Sequence, residues 1–276
     1  MILDGHIHIN EGPVSQKELL LKLNMSEIDG GVLLSIPPAS FRIKASNKIS
    51  NQQRLENLVS CSEGTDKLFP FYWLDPLESD AILQISDAIK SGVTGFKIIC
   101  NTFYPFEDVP MKIFNVIAEL GKPILFHSGI LWDGRPSSMY NRPANFECLL
   151  EIPNLRFALA HISWPWCDEL IAVYGKFIHA KSFNPDITTQ MFIDMTPGTP
   201  EVYRAEVIEK LLKTDYAELE DRLIFGTDNT ANSYNVDWAK RWLKIDKKIF
   251  SKLGWNTRKL NKINSRNLLN FLGVDK

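Results

Sequence analysis

Met1-Ile-Leu-Asp-Gly-His-Ile-His-Ile-Asn10 is the stretch that decides how the rest of this sequence is interpreted. Its first three residues are apolar and lead into His6 and His8, at alternate positions of a predicted β-strand. Side chains two residues apart on a strand point to the same face, so both imidazoles can reach one metal ion. Such a pair is also common on ordinary strands, so its meaning depends on where the other histidines lie.

Short apolar runs recur along the chain, and segments of helical character separate them. The predicted strands after the first are Val32–Ile36, Leu68–Leu74, Gly95–Ile99, Ile124–His127, Leu155–His161, Met191–Met195 and Arg222–Gly226. The predicted helices are Ser15–Gly30, Ala45–Cys61, Ser79–Ser91, Val109–Leu120, Asn145–Glu151, Cys167–Gly175, Glu201–Thr214 and the region from Val236 onward. Strands this apolar are buried on both faces, as in parallel sheets covered by helices.

Eight strand-and-helix units predict an α/β fold of the (β/α)8 or TIM barrel type, with a single domain over residues 1–276. An open doubly wound sheet is the alternative, but it does not normally need eight strands. No glycine-rich phosphate loop follows the first strand either. Residues 176–190 fit less well, and we expect an insertion there or a strand that begins earlier, at Phe177-Ile178.

Composition excludes several functional classes. A net charge of −2 over 276 residues gives no reason to expect a nucleic acid or a membrane surface as partner. The sequence begins without a basic segment followed by a long apolar one, so we expect no leader peptide and a cytoplasmic location. The four cysteines form no C-x-x-C motif and are expected to be buried, unpaired side chains.

The predicted carboxyl ends of the strands carry residues suited to metal chemistry. These residues are His6, His8, His127, His161 and Asp228. In a (β/α)8 barrel the carboxyl ends of all strands meet at one rim, where the active sites of this fold lie. Four of the five histidines therefore converge, and only His179 falls outside the set.

This arrangement resembles the amidohydrolase superfamily of metal-dependent barrel enzymes over nearly the whole chain. The matching motifs are Asp4-Gly-His-Ile-His8, Phe96-Lys-Ile-Ile99, Pro123-Ile-Leu-Phe-His-Ser-Gly129, Leu159-Ala-His161, Phe225-Gly-Thr-Asp228 and Ile263-Asn-Ser-Arg-Asn-Leu-Leu269. The most similar branch, amidohydrolase-2, contains aminocarboxymuconate-semialdehyde decarboxylase, resorcylate decarboxylase, related hydratases and hydrolases of small acids.

The resemblance implies that His6, His8, His127 and Asp228 bind one divalent ion. Neutral imidazoles and a carboxylate suit Zn²⁺, which lowers the pKa of a bound water to about 7. Asp228 would act as general base toward that water, and His161 would steady the developing oxyanion or protonate the leaving group.

Lys97 has two interpretations. Some superfamily members carry a lysine carbamate on the fourth strand that bridges two metals, and Lys97 stands in the corresponding element. The simpler interpretation, which we favour, is a buried lysine paired with a carboxylate such as Asp228 or Asp75.

Three residues in the loops after the fifth and sixth strands are candidate substrate contacts. Arg135 can bind a carboxylate through its planar guanidinium, although it can equally be an exposed arginine tied to Asp133. Trp132 and Trp164 can form an apolar wall for an aromatic or unsaturated substrate. Asp4 is expected to orient a histidine or cap the strand end.

The leading hypothesis is a hydrolase of a small carbonyl compound, such as an amide, ester or lactone, and its substrate can itself be a carboxylic acid. The runner-up is a nonoxidative metal-dependent decarboxylase, a lyase, that uses the same site. A third hypothesis, a catalytically inactive binding barrel, is disfavoured because all five expected positions are filled. A small-molecule substrate is the expected partner, and the family resemblance adds a homodimer as a further expectation.

Overall fold

A closed parallel barrel forms the centre of the computed structural model, which describes residues 1–41 and 49–274. Its strands are β1 (Leu3–His8), β2 (Gly30–Leu34), β3 (Leu68–Trp73), β4 (Gly95–Ile98), β5 (Ile124–Phe126), β6 (Arg156–Leu159), β7 (Gln190–Asp194), β8 (Leu223–Ile224) and β9 (Asn229–Thr230). Each strand from β1 to β8 pairs in parallel with the next, and β9 pairs in parallel with β1. The predicted single-domain (β/α)8 barrel is therefore confirmed.

The eighth strand of the barrel is split into two segments. β8 pairs with β7, whereas β9 pairs with β1 through Ile7–Asn229 and His8–Thr230. Between the two segments, the amide of Gly5 donates to the carbonyl oxygen of Phe225 at 2.9 Å. The prediction of one strand over Arg222–Gly226 was therefore too simple, because the chain leaves the sheet just before Asp228.

Helices cover the outside of the barrel. They are α1 (Gln16–Met25), α2 (Asn51–Ser62), α3 (Ala81–Lys90), α4 (Asp108–Glu119), α5 (Cys167–Phe183), α6 (Glu201–Lys213), α7 (Val236–Lys252), α8 (Thr257–Asn261) and α9 (Asn267–Leu272). The helix predicted near Asn145–Glu151 is a 3-10 helix that spans Pro143–Glu151. Ser50 caps α2 in a reciprocal capping box with Gln53. Part of the predicted helix Ala45–Cys61 lies outside the described residues.

The barrel interior changes from apolar at one end to polar at the other. In the middle of β3 and β7, Phe71 and Phe192 pack against Phe271 of α9, with ring centroids 6.1 and 5.3 Å apart. Two residues further along the same strands stand Trp73 and Asp194, which the strand period places on the same face. The C-terminal helix thus plugs one end of the barrel and leaves the other end for the site.

Two further element predictions were wrong. Gly30 and Gly31 were expected to end the first helix, but α1 ends at Met25 and both glycines begin β2. A Cβ atom on either glycine would run into the backbone of a neighbouring strand, at Lys67 or Asp4, so the glycines serve close strand packing.

The second wrong prediction concerns residues 176–190, which were expected to hold an insertion or an early strand at Phe177-Ile178. Helix α5 continues instead to Phe183, because Val173, Tyr174 and Phe177 recur with helical spacing and are buried. Within the described ranges, no helix combines the length and the apolar character that crossing a membrane requires.

Candidate metal centre

Three donor atoms converge where the first and the last barrel strands meet. His6 Nε2 lies 3.2 Å from His8 Nε2, and Asp228 Oδ1 lies 3.7 and 3.3 Å from these two nitrogens. His6 is buried, His8 is partly buried, and Asp228 opens to solvent. Each residue offers one ligand atom to a common point.

These distances fit a metal ion. A tetrahedral Zn²⁺ with ligands at about 2.0–2.1 Å separates neighbouring ligand atoms by about 3.3–3.4 Å. The three measured separations lie close to this value. Two imidazoles and a carboxylate are also the donor types that Zn²⁺ accepts, so the residues present fit the implied ion.

Asp194, at the end of β7, contacts the centre and was missed by the sequence interpretation. Its Oδ2 accepts a hydrogen bond from His6 Nδ1 at 2.6 Å, and both side chains are almost fully buried. The rule that found His127 and His161 at strand ends applies equally to Asp194 in Met191-Phe-Ile-Asp194, so the signal was present in the sequence.

Asp4 holds the segment that carries Asp228. Its carboxylate accepts hydrogen bonds from the amide of Thr227 at 2.9 Å, from the hydroxyl of Tyr234 at 2.8 Å and from the amide of His6 at 3.1 Å. The Thr227 hydroxyl also donates to it. Burial raises the pKa of Asp4 to about 6, although these hydrogen bonds oppose the rise. Asp228 follows with a left-handed backbone, at φ 58°, which directs it toward the histidines.

The Asp228 carboxylate remains ionised in this setting. Partial desolvation of the carboxylate by itself would raise the pKa of Asp228, but the hydrogen bond with His8 and the nearby His161 and His6 lower it below its usual range. The pKa of Asp194 is also lowered: burial opposes the shift, but His6 more than offsets it. Two carboxylates thus face the histidine pair.

His161 lies beside the three donors without joining them. Its ring centroid is 5.3 Å from that of His6 and 4.9 Å from that of His127. Its Nδ1 has no hydrogen-bond partner among the described residues, and burial lowers its pKa to about 4. Gly198 packs so closely that a Cβ atom there would lie 2.6 Å from His161 Cβ, which fixes the position of the imidazole.

His127 is placed differently from the other predicted ligands. Its Nε2 lies 3.2 Å from the carbonyl oxygen of Ile130 and donates to it in this arrangement. Burial and the neighbouring His161 lower the pKa of His127 well below its ordinary value. His127 lines the same cavity as His8 and Asp228, but it is outside the close group of donors. Its role as a ligand stays a prediction.

Lys97 is fully buried on β4, and its Nζ has no hydrogen-bond partner among the described residues. The expected ion pair with Asp228 or Asp75 is not found within that part of the chain. Burial lowers the pKa of Lys97 to about 8, and the charges of Asp194 and Asp228 oppose this effect. Carbamate formation on Lys97 stays a prediction.

A cavity of about 420 Å³ opens above the donor atoms and is within the size range of small-molecule sites. Trp132 and Trp164, two of the predicted substrate contacts, line it together with Trp73 and Phe41. The Trp73 ring lies 5.8 Å from His8 and 4.9 Å from Phe41, between centroids. Arg135 does not line this cavity, and its backbone amide, rather than its guanidinium, bonds Asp133 at 3.0 Å.

Fold and site together define a (β/α)8 barrel with a candidate metal centre at the carboxyl ends of its strands. The sequence model of the amidohydrolase family, in its amidohydrolase-2 branch, matches residues 44–256. The chain belongs to this family. No protein of curated function matches it.

Solved structures share the fold at low sequence identity. A TIM-barrel protein from Bordetella bronchiseptica, Bb4693, is 15% identical, with 99% of both chains covered and a TM-score of 0.69. Amidohydrolase 2 from Bifidobacterium longum subsp. infantis is 10% identical, again with 99% of both chains covered, and has a TM-score of 0.61. An amidohydrolase from Burkholderia ambifaria with bound zinc is 14% identical, with 95% of this chain and 68% of that chain covered and a TM-score of 0.53.

Proposed function

We propose that this protein is a metal-dependent hydrolase that acts on a small carbonyl compound, such as an amide, an ester or a lactone. The observation that carries the proposal is the convergence of His6 Nε2, His8 Nε2 and Asp228 Oδ1 within 3.2 to 3.7 Å of one another beneath a cavity. The family to which the chain belongs and the zinc in the related Burkholderia ambifaria structure support it.

His6, His8 and Asp228 would hold one divalent ion, most simply Zn²⁺, with His127 as the proposed fourth ligand. When bound, such an ion supplies a Lewis acid that polarises the substrate carbonyl and lowers the pKa of an attacking water. The open side of Asp228 faces the cavity, so substrate and water can reach this position.

The Asp228 carboxylate would accept the proton of the attacking water, since it is held in the ionised form. His161 is neutral near pH 7 because its pKa is lowered to about 4. A neutral imidazole with a free ring nitrogen is suited to donate a hydrogen bond to the developing oxyanion. It is less suited to act as a strong acid.

Aromatic side chains on the cavity wall favour a substrate with a planar, apolar group. The Trp73 ring lies 5.8 Å from that of His8, and the Trp73 carbonyl oxygen accepts a hydrogen bond from the buried Arg54, which holds this part of β3 in place. Trp132, which follows β5 in the sequence, and Trp164, which follows β6, also line the cavity. An aryl ester, an anilide or an unsaturated lactone therefore heads the list of substrates to test.

The same aromatic wall keeps nonoxidative decarboxylation as the second candidate, because it would also accept an aromatic acid. In that reaction the carbon–carboxylate bond would break and carbon dioxide would leave, while a proton from water, relayed by Asp228 or His161, would take its place on carbon. Arg135, the proposed carboxylate contact, does not line the cavity, and this favours hydrolysis.

Metal content per chain is the first measurement. We expect about one equivalent of zinc in the wild type and its loss in His8→Ala and Asp228→Ala, with His127→Ala testing the fourth ligand. His179→Ala is the matched control, because His179 is an exposed histidine on α5, remote from the site. A wild type that binds no zinc after loading would refute the metal centre.

Two equivalents of metal, reduced in Lys97→Met, would instead indicate a carbamate-bridged pair.

The zinc-loaded enzyme is then assayed with aryl esters, lactones and anilides for acid or amine release, and with aromatic acids for carbon dioxide. His161→Gln should retain zinc and lose most of the activity. A zinc-loaded protein inactive toward both substrate classes would favour the binding-barrel hypothesis.

A further inference from the structure

Asp194 and His6 form a deeply buried polar pair at the metal centre. His6 is fully buried and Asp194 is 1% exposed, and the distance from His6 Nδ1 to Asp194 Oδ2 is 2.6 Å. An ionised carboxylate only accepts hydrogen bonds, so the proton of this imidazole lies on Nδ1. The other ring nitrogen, Nε2, is then left with its lone pair.

The orientation of Asp194 is fixed from its other side. The amide of Thr196 donates to Asp194 Oδ1 at 2.7 Å, and the Thr196 hydroxyl donates to the same oxygen. Gly226 leaves room for this contact, since a Cβ atom there would collide with the Thr196 hydroxyl and lie 3.4 Å from Asp194 Oδ1. One carboxylate oxygen is thereby committed to Thr196 and the other to His6.

The lone pair on His6 Nε2 points toward the proposed ion site, because Nε2 lies 3.2 Å from His8 Nε2 and 3.7 Å from Asp228 Oδ1. Only an unprotonated ring nitrogen binds a metal. The hydrogen bond on Nδ1 therefore decides whether His6 can act as a ligand.

We infer that Asp194 is a positioning residue that fixes the His6 tautomer and thereby sets the metal affinity of the centre. The inference rests on the proposed function for the identity of the ion, but its first step concerns the metal-free protein alone. Partners of this kind on metal-binding histidines typically change metal affinity about 10- to 100-fold when they are removed.

Asp194→Asn tests the inference sharply because of Thr196. Both Thr196 donors need an acceptor, so the amide oxygen of the new asparagine turns toward Thr196 and its NH2 group faces His6. His6 must then accept on Nδ1 and carry its proton on Nε2, where the metal would bind. Metal-free protein labelled with ¹⁵N-histidine should report this reversal by NMR, and His6→Gln identifies the His6 signal among the five histidines.

Zinc affinity, measured by competition with a chelator, is the second readout. We expect Asp194→Asn to weaken zinc binding about 10- to 100-fold. Asp246→Asn is the matched control, because Asp246 is a buried carboxylate that bonds Arg204 rather than the centre, and it should leave zinc affinity unchanged. In a His6→Ala background the Asp194→Asn change should have no further effect on affinity, because its route through His6 is gone.

An unchanged His6 tautomer or unchanged zinc affinity in Asp194→Asn would overturn the inference. An equal loss of affinity with and without His6 would overturn it too, since Asp194 would then act on the fold in general. If the wild type bound no zinc, the proposed function would fail, whereas the NMR readout would still decide whether Asp194 sets the His6 tautomer.

Discussion

Replacing Asp246 with alanine should destabilise the barrel far more than breaking a nearby ion pair on the surface. Asp246 of α7 receives two hydrogen bonds from Arg204 of α6, at 2.6 Å from Nε and 2.8 Å from Nη2. Nη2 also donates to the carbonyl oxygen of Met195, just beyond β7, at 2.7 Å. The guanidinium packs 4.7 Å from the ring centroid of Trp242.

The expected loss follows from burial. Arg204 is fully buried and the side chain of Asp246 is 8% exposed, so removing the carboxylate leaves a cation in the interior without its counterion. Breaking such a pair typically costs about 3–5 kcal/mol. For a chain of this size, this corresponds to a fall in melting temperature of roughly 6–20 °C.

The same two helices provide the control. Glu201 of α6 and Arg241 of α7 form an ion pair whose side chains are 48% and 60% exposed. Solvent screens this pair, so Glu201→Ala should change the free energy of unfolding by at most about 1 kcal/mol.

The assay is urea unfolding of both variants, with thermal melting as a check. Equal and small losses in the two variants would refute the reasoning, because burial would then not distinguish the pairs. If Asp246→Ala fails to fold, Asp246→Asn keeps an acceptor for Arg204 and should show an intermediate loss.

Three further predictions concern the site and the thiols. Gly198→Ala places a Cβ atom 2.6 Å from His161 Cβ and should therefore displace the His161 imidazole. We expect an approximately 10- to 100-fold fall in kcat at unchanged zinc affinity. An unchanged kcat would contradict the proposed role of His161. Zinc at 100 times its Kd should stabilise the wild type by about 2.7 kcal/mol and the Asp228→Ala variant by much less. Urea unfolding with and without a chelator measures both effects. Equal stabilisation of the two proteins would place the ion elsewhere. Burial raises the pKa of Cys61 and Cys167 to about 11, that of Cys148 to about 12 and that of Cys100 well above its usual value. The native protein should therefore react slowly with a thiol reagent at pH 8. The unfolded protein should titrate four thiols. Because these thiols ionise at lower pH in the unfolded chain, they should also reduce stability as pH rises from about 9 to 11, and rapid native labelling at pH 8 would contradict their burial.

The barrel and the position of the site followed from sequence pattern alone. Apolar runs at regular spacing predict eight strands, and the strand-end rule places His6, His8 and Asp228 at one rim. These features depend on backbone periodicity and on the connection rules of parallel sheets, which a single sequence records directly.

Side-chain direction and exceptions to regularity could not be predicted in the same way. His127 stands at the expected strand end, yet its Nε2 donates to Ile130, because the local loop offers a carbonyl oxygen at 3.2 Å. Lys97 was expected to pair with a carboxylate, and the structure places it near Asp194 and Asp228 but in an ion pair with neither of these two carboxylates. Rotamers at such positions are decided by packing between segments that are distant in sequence.

The break in the eighth strand connects barrel closure to the chemistry of the site. His6 and His8 lie on β1, Asp228 lies between β8 and β9, and the amide of Gly5 bonds Phe225 across the same seam. Asp4 fastens the two edges through Thr227, next to Asp228. The donor atoms therefore come together only when the first and last strands of the barrel pair. A ligand that binds all three donors must therefore stabilise the closed seam by mass action, and its apparent affinity must fall wherever weakening the seam lowers the fraction of closed molecules.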